Sequence, residues 1–91
     1  MITAAQAKET VKEKLREIAQ EFITNNIETS IHEALNEGWS FCTVSFSGVS
    51  NPENVGKEVV KLLEEEGYKA EHVYCNRPTS YDNYIMINWE D

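Results

Sequence analysis

The first 37 residues of the chain carry one amphipathic pattern that is longer than the remaining residues can cover. Thr3 and Gln6 have the spacing of a capping box at its start, and Gly38 follows its last apolar turn. A helix from about Ala4 to Asn36 would be about 50 Å long, whereas a compact chain of 91 residues has a diameter of about 30 Å. The helix must therefore either break or project from the body and need a partner. Its apolar side chains recur mostly at helical spacings and are Ala4, Ala7, Val11, Leu15, Ile18, Phe22, Ile27, Ile31 and Leu35.

The weakest point of this predicted helix is the polar step at residues 24–26. Asn25 interrupts the apolar rhythm, and Asn25 and Glu28 have the spacing that begins a new helix. Helix propensity favours a continuous helix with a polar notch over a true break. The alternative is a break near 24–26, with helices over about 3–23 and 26–36.

Residues 39–47 are rich in aromatic and β-branched side chains and are predicted to form a strand. Alternation places Cys42, Val44 and Phe46 on one face. The other face receives Trp39, Phe41, Thr43 and Ser45. Because both faces carry apolar groups, we expect a central strand covered on both sides, with Trp39 in the core.

A second helix and two further strands complete the pattern. Asn51 caps the helix, Pro52 occupies its first turn and Gly67 ends it. Its predicted buried stripe is Val55, Val59, Leu62 and Leu63. Strands follow over 69–76 and 84–89, joined by a polar loop over 77–83, and the short connection predicts antiparallel pairing. Ile85, Ile87 and Trp89 share one face of the last strand.

This order of elements predicts one α+β domain over residues 1–91. A long N-terminal helix (1–37) precedes a β-α-β-β unit (38–91), whose small three-stranded sheet is packed by helices. Hydrophobic residues make up 41% of the chain, which is enough for one core.

The formal net charge is −8 and is distributed along the chain. Residues 1–37 hold four basic and seven acidic residues, and residues 38–91 hold four and nine. Without a cluster of Lys and Arg, neither nucleic acid nor an anionic membrane is expected as a partner. No apolar segment has the length of a signal or transmembrane helix, so we expect a cytoplasmic protein. Cys42 and Cys75 are expected to be reduced and buried.

Neither a metal site nor a catalytic constellation is predicted. Two histidines and two cysteines match the count of a zinc site, but His72 and Cys75 are three apart on a strand and point to opposite faces. His32 lies in the middle of the long helix. The serines lack a nucleophile elbow, and the isolated glycines form no phosphate loop. We therefore expect a non-enzymatic protein with no cofactor and no catalytic residues.

The side chains best suited to recognition fall between residues 74 and 84. They are Tyr74, Asn76, Arg77, Tyr81, Asp82 and Tyr84. Tyrosines beside an arginine anchor protein partners, and they equally stack a base and pair with a phosphate or carboxylate. The alternative is a loop whose tyrosines cover the sheet edge while Arg77 pairs with Asp82.

A run of three glutamates, residues 64–66, occupies the C-terminal end of the second helix, where the helix dipole disfavours negative charge. The run is either a solvated helix end or an acidic surface, including Glu64 and Glu65, that faces a basic partner protein.

The layout resembles a group of small phage-encoded proteins. The long charged helix ends in Gly38-Trp39-Ser40, and the last strand is Ile85-Met86-Ile87-Asn88-Trp89. The second helix ends with Leu63 four residues before Gly67, which Tyr68 follows. These motifs span most of the chain and are fold signatures, so no catalytic residue carries over. The resemblance implies expression in the cytoplasm of an infected bacterium, where small acidic proteins often inhibit or sequester host components.

The leading hypothesis is a non-enzymatic binding protein, homo-oligomeric through its N-terminal helix, that inhibits or sequesters a host factor, with factors of host defence among the candidates. The 74–84 loop and the acidic second helix would be its contact surfaces. The alternative is a sponge for a nucleotide signal, in which Arg77 and the tyrosines bind a small anionic ligand. A third hypothesis is an oligomeric structural or assembly protein.

Overall fold

The computed structural model describes residues 1–46 and 48–90, with the side chains of residues 76, 77, 80 and 81 outside the described part. The fold is α+β, as the sequence predicts. In chain order the elements are α1 (Ala4–Phe22), a π-helical turn (Ile23–Ile27), α2 (Glu28–Asn36), β1 (Phe41–Ser45), α3 (Pro52–Glu65), β2 (Lys69–Arg77) and β3 (Ser80–Asn88). The molecule is elongated, with extents of 53 × 35 × 22 Å and a radius of gyration of 14.8 Å.

Both ends of the long helix follow the sequence prediction. The Thr3 hydroxyl accepts from the Gln6 N–H at 3.2 Å, and the Gln6 side chain accepts from the Thr3 N–H at 2.9 Å, which completes the capping box. At the other end Gly38 has φ +77°, and the Trp39 N–H donates to the Ala34 carbonyl at 2.9 Å. This Schellman geometry favours glycine, which has no Cβ to strain the left-handed backbone.

The long helix is continuous across the polar step at residues 24–26. The Glu28 N–H donates to the Ile23 carbonyl, five residues earlier, which defines the π-helical turn. Phe22 and Ile27 are also five residues apart, and the wider turn keeps both on the side facing the core. The prediction of a continuous helix was therefore right. The polar notch at Asn25 is accommodated by the π-helical turn.

The sheet has the order β1-β3-β2, with both neighbouring pairs antiparallel. β1 is an edge strand, so the prediction of a doubly covered central strand was wrong. Its outer face is open to solvent, with Phe41 50% exposed and Trp39, expected in the core, 52% exposed. The reason is topological: β2 and β3 form a hairpin, and β1 adds to the free side of β3.

The predicted polar loop over residues 77–83 was also wrong. β2 continues to Arg77 and β3 begins at Ser80, leaving a two-residue turn at Pro78-Thr79. β1 pairs with β3 only as far as Ser45 and Tyr84. Beyond that pair, β2 and β3 continue alone as a two-stranded ribbon, residues 74–77 and 80–83. In this ribbon the polar residues satisfy their backbone groups through the ladder and do not need an apolar alternation.

A single core lies between the helices and one face of the sheet. Phe46 is fully buried there, and its ring meets Phe22 edge-on at 4.6 Å. The predicted stripe of α3 is buried, as are Ile85 and Ile87 of β3. The core residues are Ala19, Ile27, Ile31, Val44, Phe46, Val55, Val59, Leu62, Leu63, Ile85 and Ile87. Helices therefore cover one face of the sheet, which makes a two-layer domain.

Two local expectations need correction. Asn51 precedes α3 as predicted, but it has a left-handed backbone (φ 54°), and its side-chain oxygen accepts from the Asn54 side-chain amide at 3.2 Å instead of capping the helix. Cys42 and Cys75 are free thiols as expected, but they are half-buried and not buried. Partial burial nonetheless raises the pKa of the Cys42 thiol, because burial disfavours the thiolate.

The N-terminal part of α1 projects from the body. All of residues 1–14 are exposed, including Val11 at 54% exposure, and burial begins only at Leu15 and Ile18. The length of the helix required it either to break or to project from the body, and in the structure it projects. We call residues 1–14 the arm.

Deletion of Asn25 tests the origin of the π-helical turn. Removing one residue from the five-residue step allows an ordinary α-helix that keeps Phe22 and Ile27 on the core side. We expect the deletion to change the free energy of unfolding by no more than about 1 kcal/mol, as measured by urea denaturation.

The matched control is deletion of Lys57, an exposed residue between the buried Val55 and Val59 in regular α-helix. This deletion rotates one end of the α3 stripe away from the core and should cost several kcal/mol, about the value of large core substitutions. Equal losses for the two deletions would contradict this account of the turn.

Candidate functional site

The predicted recognition residues do not form one cluster. Tyr74 is opposite Asn83 in the β2–β3 register, whereas Tyr84 is opposite Val73. Because neighbouring strand positions alternate between faces, the two tyrosines lie on opposite faces of the sheet. Tyr74 lies on the helix side, with its ring 5.6 Å from the His72 ring, and Tyr84 lies on the open side.

Three of the predicted residues, Asn76, Arg77 and Tyr81, have side chains outside the described part of the structure. Their backbones pair within the ribbon, Asn76 with Tyr81 and Arg77 with Ser80. Asp82 is exposed and lies opposite Cys75. The expected pairing of Arg77 with Asp82 therefore lies outside the described residues.

The acidic end of α3 lies at the other end of the sheet from the ribbon. Glu64 and Glu65 are exposed and line an open groove with Ala70 near the start of β2. Arg77 is seven residues further along the strand, a separation of about 23 Å. The two predicted contact surfaces are therefore separate regions of the molecule.

A hydrogen-bonded polar cluster that was not predicted from the sequence lies between α3 and the sheet. The Asn83 side-chain nitrogen donates to the Phe46 carbonyl at 2.9 Å, and Asn83 is buried. The Asn83 oxygen consequently faces the His72 Nε2 at 2.7 Å, so Nε2 must carry the proton of that hydrogen bond. The Phe46 ring packs edge-on against the His72 ring at 5.0 Å.

This cluster has a structural role. The Phe46 N–H also donates to the Asn83 carbonyl at 2.9 Å, so Asn83 fastens the chain after β1 to the central strand. Each polar group of the Asn83 side chain is paired, which meets the requirement for burying an amide. The sequence contained one signal for Asn83. It is two residues before Ile85 and four before Ile87, so strand alternation places it on the same, buried face of β3.

Gly56 of α3 is the point where the helix approaches this cluster. A Cβ at position 56 would lie 2.1 Å from the His72 Nδ1. The ring has little freedom to move, because Asn83 holds its Nε2 and the rings of Phe46 and Tyr74 lie against it. Gly56 therefore sets the distance between α3 and β2.

The open face of the sheet carries the largest apolar side chains exposed on the body. Phe41 is 50% exposed, Met86 is 45% exposed, and Trp39 packs its ring 5.2 Å from that of Phe41. Phe41 pairs with Asn88 in register, so Met86 is its diagonal neighbour on the same face. Val73 and Tyr84 are half-buried on this face. We call these five residues the sheet patch.

The border of the sheet patch is mainly acidic. Glu37 precedes Trp39 by two residues, and Glu71 lies directly opposite Met86. Glu90 accepts from the Ser40 hydroxyl at 3.5 Å through its carboxylate and from Lys69 Nζ at 3.2 Å through its backbone carbonyl. The carboxylates of Glu71 and Glu90 and the ammonium group of Lys69 thus lie beside the patch, and Glu37 lies next to it in sequence.

A second concave feature, the helix groove, runs between the long helix and the C-terminal half of α3. Its volume is about 620 Å³. Its lining combines apolar side chains at the base with Glu28, Glu65 and Glu66 and a single arginine, Arg16. The predicted acidic residue Glu65 therefore belongs to this groove as well as to the one beside β2.

Comparison with known protein families, with curated proteins and with solved structures finds no match for this chain. Among the described residues, no group of three His, Cys, Asp or Glu side chains is arranged to hold a metal ion. Of the helices described, none combines the length and the apolar character needed to cross a bilayer. The sheet patch and the helix groove are the candidate binding surfaces of the described residues. The cluster of His72, Asn83 and Phe46, called the His72 cluster below, has a structural role.

Gly56→Ala tests the contact between α3 and the His72 cluster. Alanine is the better helix former by about 1 kcal/mol, yet we expect the variant to be less stable by about 1–3 kcal/mol because its methyl group overpacks against a fixed ring. The measurement is the urea midpoint of unfolding.

The double variant with His72→Ala provides the control. It removes the obstructing ring, so most of the loss due to Gly56→Ala should disappear in that background. If Gly56→Ala stabilises the protein, or if the two losses simply add, the contact does not determine the helix–sheet distance.

Proposed function

We propose that the protein is a non-catalytic binding module that sequesters or blocks another protein through the sheet patch. The observation that carries the proposal is the exposure of Trp39, Phe41 and Met86 side by side on a sheet face that the fold leaves uncovered. Aromatic residues and methionine are the side chains enriched in protein interfaces.

The physical gain from covering this patch supports the proposal. When a partner covers an exposed Phe or Met side chain, the apolar surface is removed from water. The free energy gained is about 25 cal/mol per Å² of apolar area buried. The Trp39 and Phe41 rings already pack against each other, which restricts part of the side-chain freedom that binding would otherwise remove. A preorganised aromatic pair of this kind provides the anchor that binding hot spots require.

The charge around the patch favours a basic partner. Glu71 and Glu90 lie beside the apolar centre, Glu37 precedes Trp39 by two residues, and the chain as a whole has a net charge of −8. A partner with an apolar centre bordered by Lys and Arg would match this arrangement, and the long-range attraction would accelerate its association.

The resemblance to small phage-encoded proteins supports a host protein as this partner and the infected bacterial cytoplasm as its location. Within this proposal the protein acts by occupancy, since covering a functional surface of the host factor is enough to inhibit it. The binding residues are then those of the sheet patch, and the predicted residues Tyr74 and Glu64 lie outside it.

Replacement of the exposed patch residues tests the proposal. The double variant Phe41→Thr with Met86→Thr removes the apolar centre and keeps good strand formers. We expect it to lose the proteins that immobilised wild-type chain retains from a bacterial lysate. Affinity for the purified partner should fall by about thirtyfold or more, the loss typical of a hot spot.

The matched control is Leu35→Gln, which removes an equally exposed apolar side chain, 52% exposed, from the helix layer. It should retain the same partner, and all variants should melt within a few degrees of the wild type. Identical binding by the patch variant and the wild type would disprove the role of the sheet patch. Loss of binding by the Leu35 control would assign the binding surface to the helices instead.

A further inference from the structure

The arm is an amphipathic helix whose apolar face is flanked by lysines. Within the described part of the chain, no other element covers this face. Ala4, Ala7 and Val11 form its apolar stripe. Lys8 and Lys14 lie about 60° on either side of the centre of this stripe, whereas Glu9 and Glu13 lie about 160° away from it. Lys14 approaches Glu17 at 3.9 Å, an exposed pair of little energetic weight.

The charge of the chain is unevenly divided between the arm and the body. The arm holds three lysines and two glutamates, a net charge of +1. Residues 15–91 hold five basic and fourteen acidic residues, a net charge of −9. A positively charged, apolar helical face thus projects from a strongly acidic body.

The helix groove on that body has the complementary character. Its apolar base is formed by Ile23, Ile31, Leu62, Leu63 and Tyr68. Three carboxylates, Glu28, Glu65 and Glu66, lie along it, opposed by the single charge of Arg16. Glu65 and Glu66 belong to the acidic run that ends α3, an arrangement that the helix dipole disfavours and that a docked basic helix would neutralise.

We propose that the helix groove binds the arm of a second copy of this chain, and that two copies exchange arms reciprocally to form a dimer. The stripe would lie on the apolar base, with Lys8 and Lys14 against the carboxylates. The lengths agree: the arm helix from Ala4 to Lys14 is about 16 Å long, and the groove follows the long helix from Arg16 to Ile31 for about 22 Å.

The proposal is for a reciprocal exchange because the two surfaces belong to one long helix. The arm directly precedes the residues that line the groove, so two long helices related by a two-fold axis can each supply an arm and a groove. This closed arrangement fills both grooves and leaves no free arm to extend a polymer. The inference does not depend on the sheet patch or on its partner.

Charge reversal tests the pairing. Sedimentation velocity of the full chain should show a dimer for the wild type. The arm variant, Lys8→Glu with Lys14→Glu, and the groove variant, Glu65→Lys with Glu66→Lys, should each raise the dimer dissociation constant by about thirtyfold, since four ion pairs per dimer are lost. All four side chains are exposed, and lysine at the end of α3 suits the helix dipole, so both variants should stay folded.

The decisive measurement is an equimolar mixture of the two variants. The acidic arm of one matches the basic groove of the other, and the remaining arm and groove keep their native charges, so a heterodimer should form with an affinity near that of the wild type. The controls, Lys57→Glu with Lys61→Glu and Glu33→Lys with Glu37→Lys, change the net charge equally outside the arm and the helix groove and should leave the dimer intact.

Three results would overturn the proposal. The first is a wild-type chain that sediments as a monomer at every concentration or as an open series of larger species. The second is an unchanged dimer in the arm variant or the groove variant. The third is a mixture that fails to restore association, because the arm would then not be in contact with the groove.

Discussion

The packing of the second half of the long helix across one face of the sheet is the interaction on which the rest of the structure depends. Ala19, Ile27 and Ile31 enter the same core as Phe46 and the central strand. The π-helical turn belongs to this interaction, because it keeps the apolar residues before and after the polar step on one side. Among the described residues, the core uses one face of the sheet and part of the long helix, so the opposite sheet face and the arm stay exposed.

Much of the fold could be predicted from local signals. The capping box at Thr3, the glycines that end the two helical segments and the apolar stripe of α3 each depend on neighbouring residues, and each occurs as expected. The alternation likewise placed Ile85 and Ile87 on one face of the last strand, and both are buried. These features follow from short-range geometry, which the sequence contains directly.

The features that the sequence did not reveal depend on which segments become neighbours. The sequence pattern around Trp39 and Phe41 suits a covered central strand and an open edge strand equally well. Whether β1 is central or at the edge depends on its placement beside β3, which the local sequence does not determine. The ribbon lacks the Asn-Gly type of turn that marks tight hairpins, since its two turn residues are Pro78 and Thr79. The candidate site was divided for the same reason: strand register, which no residue spacing shows, puts Tyr74 and Tyr84 on opposite faces.

The two proposed interaction surfaces belong to different layers of the domain, and this separation has a functional consequence. The helix groove lies between the long helix and α3, whereas the sheet patch lies on the face of the sheet that the helices do not cover. A dimer formed through the grooves therefore leaves two sheet patches exposed. Two linked patches bind a partner that has repeated sites more tightly than one patch does, because the second contact forms at a high effective concentration. For a protein that acts by occupancy, dimerisation through the helices would thus increase inhibition without changing any contact in the sheet patch.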